Sequence, residues 1–216
     1  MGVAMGTGRM ERLAPLTGVV FAVVFAIALL TSGDTPDTDA TGAEVISHYD
    51  DAGEIFAGVL ALVVCAVLFM FFAGVLRSRL RTAGPEWLAS VAFGGAVAYA
   101  VGLGIFAMSQ IALIDASDLG QPEVAQALNI IDNDNFFPTV IGLAVILLAT
   151  GWHVLASRSL PIWLGWVSLI LGILALAGPA GFIAFLLFPV WVLVVAVMLF
   201  LRAGTLDAQD ADTARP

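Results

Sequence analysis

The chain has 216 residues, 61% hydrophobic and 12% charged, against roughly 25% charged in a soluble domain, and its mean hydropathy is +1.03. That composition excludes a soluble enzyme and any nucleic-acid partner, and points to a protein whose solvent is the lipid bilayer. The formal charge is −9, all eight basic residues are Arg, and there is one cysteine; Schiff-base and Walker lysines, an intrachain disulfide and a thiolate metal site are thereby ruled out.

Runs long enough to cross about 30 Å of hydrocarbon predict an all-α, polytopic bundle of six spans, over residues 13–31, 55–76, 87–114, 136–156, 162–177 and 181–201. Arg9 and Arg12 precede the first span. Its Ala26-Ile27-Ala28 resembles a signal-peptidase site, and cleavage there would leave an odd five spans. The loop that follows carries seven acids and no Arg, and within it Thr41-Gly42-Ala43-Glu44 reads as a capping box opening a short amphipathic helix with Val45, Ile46 and Tyr49 on one face. The second span holds a stripe of small residues, Ala57, Ala61 and Cys65, and ends on Arg77, Arg79 and Arg81. In the third, Gly94, Ala98 and Gly102 form one small-residue stripe and Ala96, Ala100 and Gly104 another, which predicts a central helix with close neighbours.

The next loop, from Asp115 to Asn135, holds five acids and again no Arg. Gln121-Pro122-Glu123 opens a second short amphipathic helix there, with Val124, Ala127, Leu128 and Ile131 as its apolar face. The fourth span ends near His153 and Arg158, with His153 read as an interfacial histidine. Gly165 and Gly172 mark a packing face on the fifth, Gly178-Pro179-Ala180-Gly181 makes the last hairpin, and Pro189 is placed to kink the sixth. The tail, residues 203–216, has no periodicity and is expected to be disordered in the cytoplasm. Every Arg-bearing segment falls on one side of this topology, together with Trp87, Trp152, Trp163 and Trp166. The positive-inside rule then places both termini in the cytoplasm of a cell membrane and the acidic loops outside.

Chemical signatures are sparse. No Asp, Glu, Arg or Lys lies in a span core, which disfavours a charge-coupled transporter. Neither a His-Glu-x-x-His zinc motif nor a Gly-x-Ser-x-Gly elbow is present, and Ser90, Ser109 and Ser168 have no partner visible in the sequence. One constellation stands out: His48, Asp50, Asp51 and Glu54 before the second span, and Asp132, Asn133, Asp134 and Asn135 before the fourth. If their hairpins pack side by side, their oxygens suit Ca²⁺ or Mg²⁺; the competing reading is that they cap helix N-termini and hold the loops outside. No other cofactor is expected.

Glu44-Val45-x-x-x-Tyr49, then Ala125-x-Ala127-Leu128-x-x-x-Asp132-x-x-x-Phe136, and then Leu160-Pro161-x-Trp163-Leu164-Gly165-Trp166 resemble small six-helix membrane proteins of actinobacteria, catalogued as a domain of unknown function. That resemblance implies a bacterial multi-pass protein and transfers no catalytic residue. The leading expectation is a non-enzymatic membrane protein whose acidic outer cap binds a membrane or extracytoplasmic protein partner or a lipid. A carrier of a small uncharged or lipophilic solute is the alternative, and a membrane enzyme working at the cap a third.

Overall fold

The structure is a computed structural model that describes residues 12–31, 35–50 and 52–213, the last eleven by backbone alone. Among the described residues the chain forms α1 (Leu16–Thr31), α2 (Gly42–Tyr49), α3 (Gly53–Arg81), α4 (Glu86–Asp118), α5 (Pro122–Asp134), α6 (Phe136–Ser157), α7 (Ile162–Ala175), a 3-10 turn (Gly178–Ala180) and α8 (Gly181–Thr213). There is no strand among them. The prolines fall where a missing N–H is harmless: Pro15 immediately precedes α1, Pro85 and Pro161 cap α4 and α7, Pro122 opens α5 and Pro138 lies in the first turn of α6. Pro189 lies inside α8, which continues through it.

Among the described residues four segments are long and apolar enough to cross a membrane: Gly53–Arg81, Glu86–Asp118, Pro122–Ser157 and Gly178–Arg202. Two further apolar helices, Leu16–Leu30 and Ile162–Ala175, are shorter; at 1.5 Å per residue they reach only about 22 and 21 Å. Six helices close a ring in the order α1, α3, α4, α6, α7, α8 and back to α1. At its centre Phe21, Phe69, Tyr99 and Phe188 interlock, with neighbouring ring centroids 4.9 to 5.5 Å apart around the circuit from Phe21 through Phe69 and Tyr99 to Phe188 and back to Phe69. All four are fully buried, so the middle of the bundle is a packed aromatic plug.

Small residues set the helix contacts, although not all those the sequence pattern singled out. Gly102 faces α6: a Cβ there would stand 2.5 Å from Thr139 Oγ1 and 2.7 Å from its backbone N. Gly94 and Gly104, placed on the same two stripes by spacing, have nothing within 4 Å. The seam instead runs through Gly95, Tyr99 and Gly102 of α4 against Ile146, Gly142 and Thr139 of α6. The α6–α7 contact follows the expected glycines, with Gly165 against Leu155 and Gly172 against Leu148. On α3, Cys65 is fully buried whereas Ala57 is exposed, so that stripe holds only toward its inner residue.

The arginine-bearing end is ringed by exposed Trp87, Trp152, Trp163 and Trp166, as side chains with an apolar body and a polar edge are at a bilayer interface. His153 there is fully buried rather than surface-facing, with Nδ1 3.2 Å from Ser157 Oγ. The last helix runs on to Thr213, over residues the composition marked as a disordered tail. Helix extension from an existing turn fixes few new torsions per hydrogen bond, and Ala, Leu, Gln and Asp tolerate it.

Candidate functional site

At the acid-rich end α2 and α5 lie over the end of α4, and the three share a small apolar core of their own: Val45, Tyr49, Leu113, Ala116 and Ala125. The capping box that starts α2 is formed, with Glu44 accepting from the Thr41 backbone N–H at 2.8 Å and the Thr41 side chain accepting from Glu44 N. The backbone N–H of Thr41, and then its hydroxyl, which donates to the same carboxylate oxygen at 2.8 Å, hold the Glu44 carboxyl below the usual glutamate range. Gly42, the first residue of α2, packs on the backbone of Pro122 at the start of α5, where a Cβ has no room.

The buried face of α5 is rotated from the expected one, of which Leu128 packs on that core. Val124 and Ile131 are exposed, as is Ile130, while Ala125, Asn129 and Asp132 are buried. The buried amides secure the preceding loop: Asn129 Nδ2 donates to the Asp37 carbonyl at 2.9 Å and Gln126 Nε2 to that of Ala40 at 3.3 Å. At a bilayer boundary this is the stable arrangement, because apolar side chains lose nothing by facing lipid whereas polar ones need partners.

Asp132 is the centre of the buried network. Ser109 Oγ donates to Asp132 Oδ1, and Gln110 Nε2 donates to Oδ2 at 2.8 Å. Tyr49 OH donates to Gln110 Oε1 at 3.0 Å, and Asn135 Nδ2 to Ser109 Oγ at 3.2 Å. All five side chains are at most 9% exposed. Along this chain of bonds the donors lead to the carboxylate, whose two oxygens both accept, so side chains of α2, α4 and the α5–α6 junction are linked to one acid of α5. Burial, and then the neighbouring Asp132 charge, push the Tyr49 phenol well above its usual range against the opposing pull of the Gln110 bond, which keeps it a donor.

Gln110 lies 23 residues beyond Trp87 along α4, or about 35 Å at helical rise, which puts the network at the far edge of a hydrocarbon layer whose near edge is marked by the tryptophans. On the ring side of Asp132 opens a cavity of about 990 Å³. Its walls come from Phe25, Ala28 and Leu29 at the end of α1, from Phe136 to Ile141 of α6, from Ala175 and Leu176 at the end of α7 and from Phe182 to Leu186 of α8. The two short helices stop here, and the space they leave is the cavity. Its polar lining is Thr35, Asp132, Asn133, Asp134, Asn135 and Thr139, and among the described residues no basic one lines it. Phe185 packs against both Phe25 and Phe136 in its lining, 5.4 and 5.3 Å between centroids, and Phe25 in turn meets the Phe21 of the central plug.

The six ionisable residues considered for a cation divide. Asp132 is buried in its network and Asp134 lines the cavity; His48 is exposed against the Tyr49 ring, Asp50 and Glu54 are exposed, and Asp51 lies outside the described residues. Among the described residues no three His, Cys, Asp or Glu side chains stand close enough to hold a metal ion together. Asp132 faces α4, where Ser109 and Gln110 donate to it. Tyr49, Ser109 and Gln110, which form the actual cluster with Asn135, were not assigned to the site from sequence; the adjacent Ser109-Gln110 pair, a polar break in the apolar run of α4, was the available signal.

No protein-family model matches this chain, and neither a curated protein nor a solved structure is similar to it. The case for function therefore rests on the geometry of this cavity and its acidic mouth.

Proposed function

We propose that this chain is a bacterial multi-pass membrane protein that binds a lipid or another amphiphile in the cavity at its acid-rich end, and that it is not an enzyme. On this reading the two short helices complete a six-span topology in the cell membrane, both termini are cytoplasmic, and the cap of α2 and α5 faces outward. The observation that carries the reading is the cavity of about 990 Å³, apolar along its walls and polar at one rim. Such a shape matches a molecule with a hydrocarbon part and a polar head, and its volume is at the upper end for small-molecule sites. The test uses purified protein in phosphatidylcholine nanodiscs. Dodecanol is expected to raise the unfolding temperature saturably, and Leu186→Trp, which places bulk on the cavity wall, to remove the rise; a response without saturation, or one equal in the variant, overturns the reading.

Topology is tested separately. Cysteines introduced at Thr38 and Gln121 are expected to react with an impermeant thiol reagent on intact cells while one at Arg79 does not; labelling at Arg79 reverses the orientation. A second reading, a carrier of a small uncharged or lipophilic solute, draws on Pro189, which follows the plug residue Phe188 in α8 and removes a backbone hydrogen bond there. Displacement of that segment would join the cavity to the opposite side, and uptake of the solute into proteoliposomes, lost on Pro189→Ala, is its test.

A further inference from the structure

The cavity has a definite electrostatic sign. Of its described lining residues, Asp132 and Asp134 are acids, Asn133 and Asn135 offer amide oxygens, and none is Arg, Lys or His. A lipid phosphate or a fatty carboxylate would therefore enter a mouth that repels it, without a single cationic partner. The remaining lining is rich in aromatic faces: Phe25, Phe106, Phe136, Phe137, Phe182 and Phe185. Four of these form a connected set, Phe182 stacking on Phe185 at 6.2 Å between centroids and Phe136 bridging both. Rings attract a cation through their negative faces, most strongly where water is excluded, and a carboxylate beside them adds to the same preference.

The network behind Asp132 strengthens that assignment. Ser109 and Gln110 hold its carboxylate in place from the side of α4, one donor on each oxygen. An oxygen of a carboxylate accepts more than one hydrogen bond, so the acid is oriented by the protein and still able to serve a ligand. Asp134, two residues on and exposed, lies nearer open water along the same rim. A headgroup seated between them meets one fixed and one solvated negative charge.

We infer that the ligand is a lipophilic cation: an amphiphile with a protonated amine or quaternary ammonium head at Asp132 and Asp134 and its apolar body among the phenylalanines. The inference rests on the amphiphile reading above and adds to it the sign of the headgroup. It is tested with three probes of equal chain length, dodecyltrimethylammonium, dodecanol and dodecanoate, by equilibrium binding to protein in phosphatidylcholine nanodiscs, with empty nanodiscs subtracted. The cation is expected to bind at least tenfold more tightly than the alcohol, and dodecanoate more weakly than either. Asp134→Asn is expected to reduce the preference severalfold, and Asp132→Asn together with Asp134→Asn to abolish it, while saturable dodecanol binding persists and reports that the cavity is still formed. Equal binding of cation and alcohol by the unaltered protein, or a preference that survives in the double variant, overturns the inference and leaves the amphiphile reading intact. Failure of all three probes to saturate overturns both. Should the double variant lose dodecanol binding as well, the single Asp134→Asn decides: an undiminished cation preference there overturns the inference, and a reduced one supports it.

Discussion

The seam between α4 and α6 and the cap over the end of α4 are built from the same helix and held by different physics. Along the seam the backbones approach until Gly102 meets Thr139 and Gly142 meets Tyr99, with no space for a Cβ. Lipid tails offer apolar side chains as good an environment as a helix neighbour does, so contact there comes from close van der Waals fit. In the cap, Val45, Leu113 and Ala125 are buried beside Tyr49, Gln110 and Asp132, which are joined by hydrogen bonds. There polar side chains are packed among apolar ones, and each buried polar group must be matched. The difference teaches that a glycine matters in one region for what it lacks, whereas in the other a polar side chain matters for what it satisfies.

The largest expected effect tests the seam. Gly142→Ala would put a Cβ 2.7 Å from Tyr99 Cα and 2.8 Å from the Gly95 carbonyl oxygen, backbone atoms that move only with their helix, and overpacking of this kind costs about 1–3 kcal/mol or more. Gly102→Leu adds a whole side chain to a similar contact and is expected to abolish folding. Gly94→Ala and Gly104→Ala, with nothing within 4 Å, are expected to be neutral or to stabilise by up to about 1 kcal/mol through helix propensity. Thermal unfolding of the four variants checks this, and equal sensitivity at Gly94 and Gly142 would break the distinction between a seam and a lipid-facing side.

Next in size is the cap. Asp132→Ala leaves the buried Gln110 amide without its acceptor, while Ser109 Oγ keeps the Phe106 carbonyl at 2.9 Å, at about 1–3 kcal/mol for an unsatisfied group. Faster hydrogen exchange in α5 than in α6 is its expected signature, since α5 is held by this network while α6 is held by the seam; uniform acceleration through both would mean the two regions unfold as one. Tyr49→Phe removes a single bond to Gln110 and is expected to cost about 1 kcal/mol.

The pH dependence separates two residues of α2. The folded pKa of Tyr49 lies above its ordinary value of 10.0, so above that pH the unfolded chain releases the proton more readily, and stability falls as pH rises past about 10. Tyr49→Phe should flatten that decline. Glu44 has the opposite sign: its folded pKa lies below the ordinary 4.5, so its contribution is present above that value and is lost as pH falls through the lowered one. Glu44→Gln should flatten the acid side, with the smallest change of the series because the group is exposed. Both profiles are read by unfolding at graded pH.

Much of this architecture was legible in the chain itself. Apolar run lengths, prolines at helix starts and the Thr41–Glu44 box located the helices, and Gly165 and Gly172 located the α6–α7 contact, because each of these is a local property of backbone chemistry. Which side of a helix faces inward was not local. On α5 the apolar residues Val124 and Ile131 were the natural candidates for burial, and the structure buries Asn129 and Asp132 instead. On α4 a four-residue spacing fitted several stripes equally well, and only the approach of α6 selected Gly95, Tyr99 and Gly102. The cavity likewise arose from two helices ending short of the others, with lining residues drawn from the whole chain between Phe25 and Leu186. Sequence periodicity determines which residues share a face; in a bilayer hydrophobicity no longer marks the inner one, so the choice fell to steric fit between helices and to the need of each buried polar group for a partner.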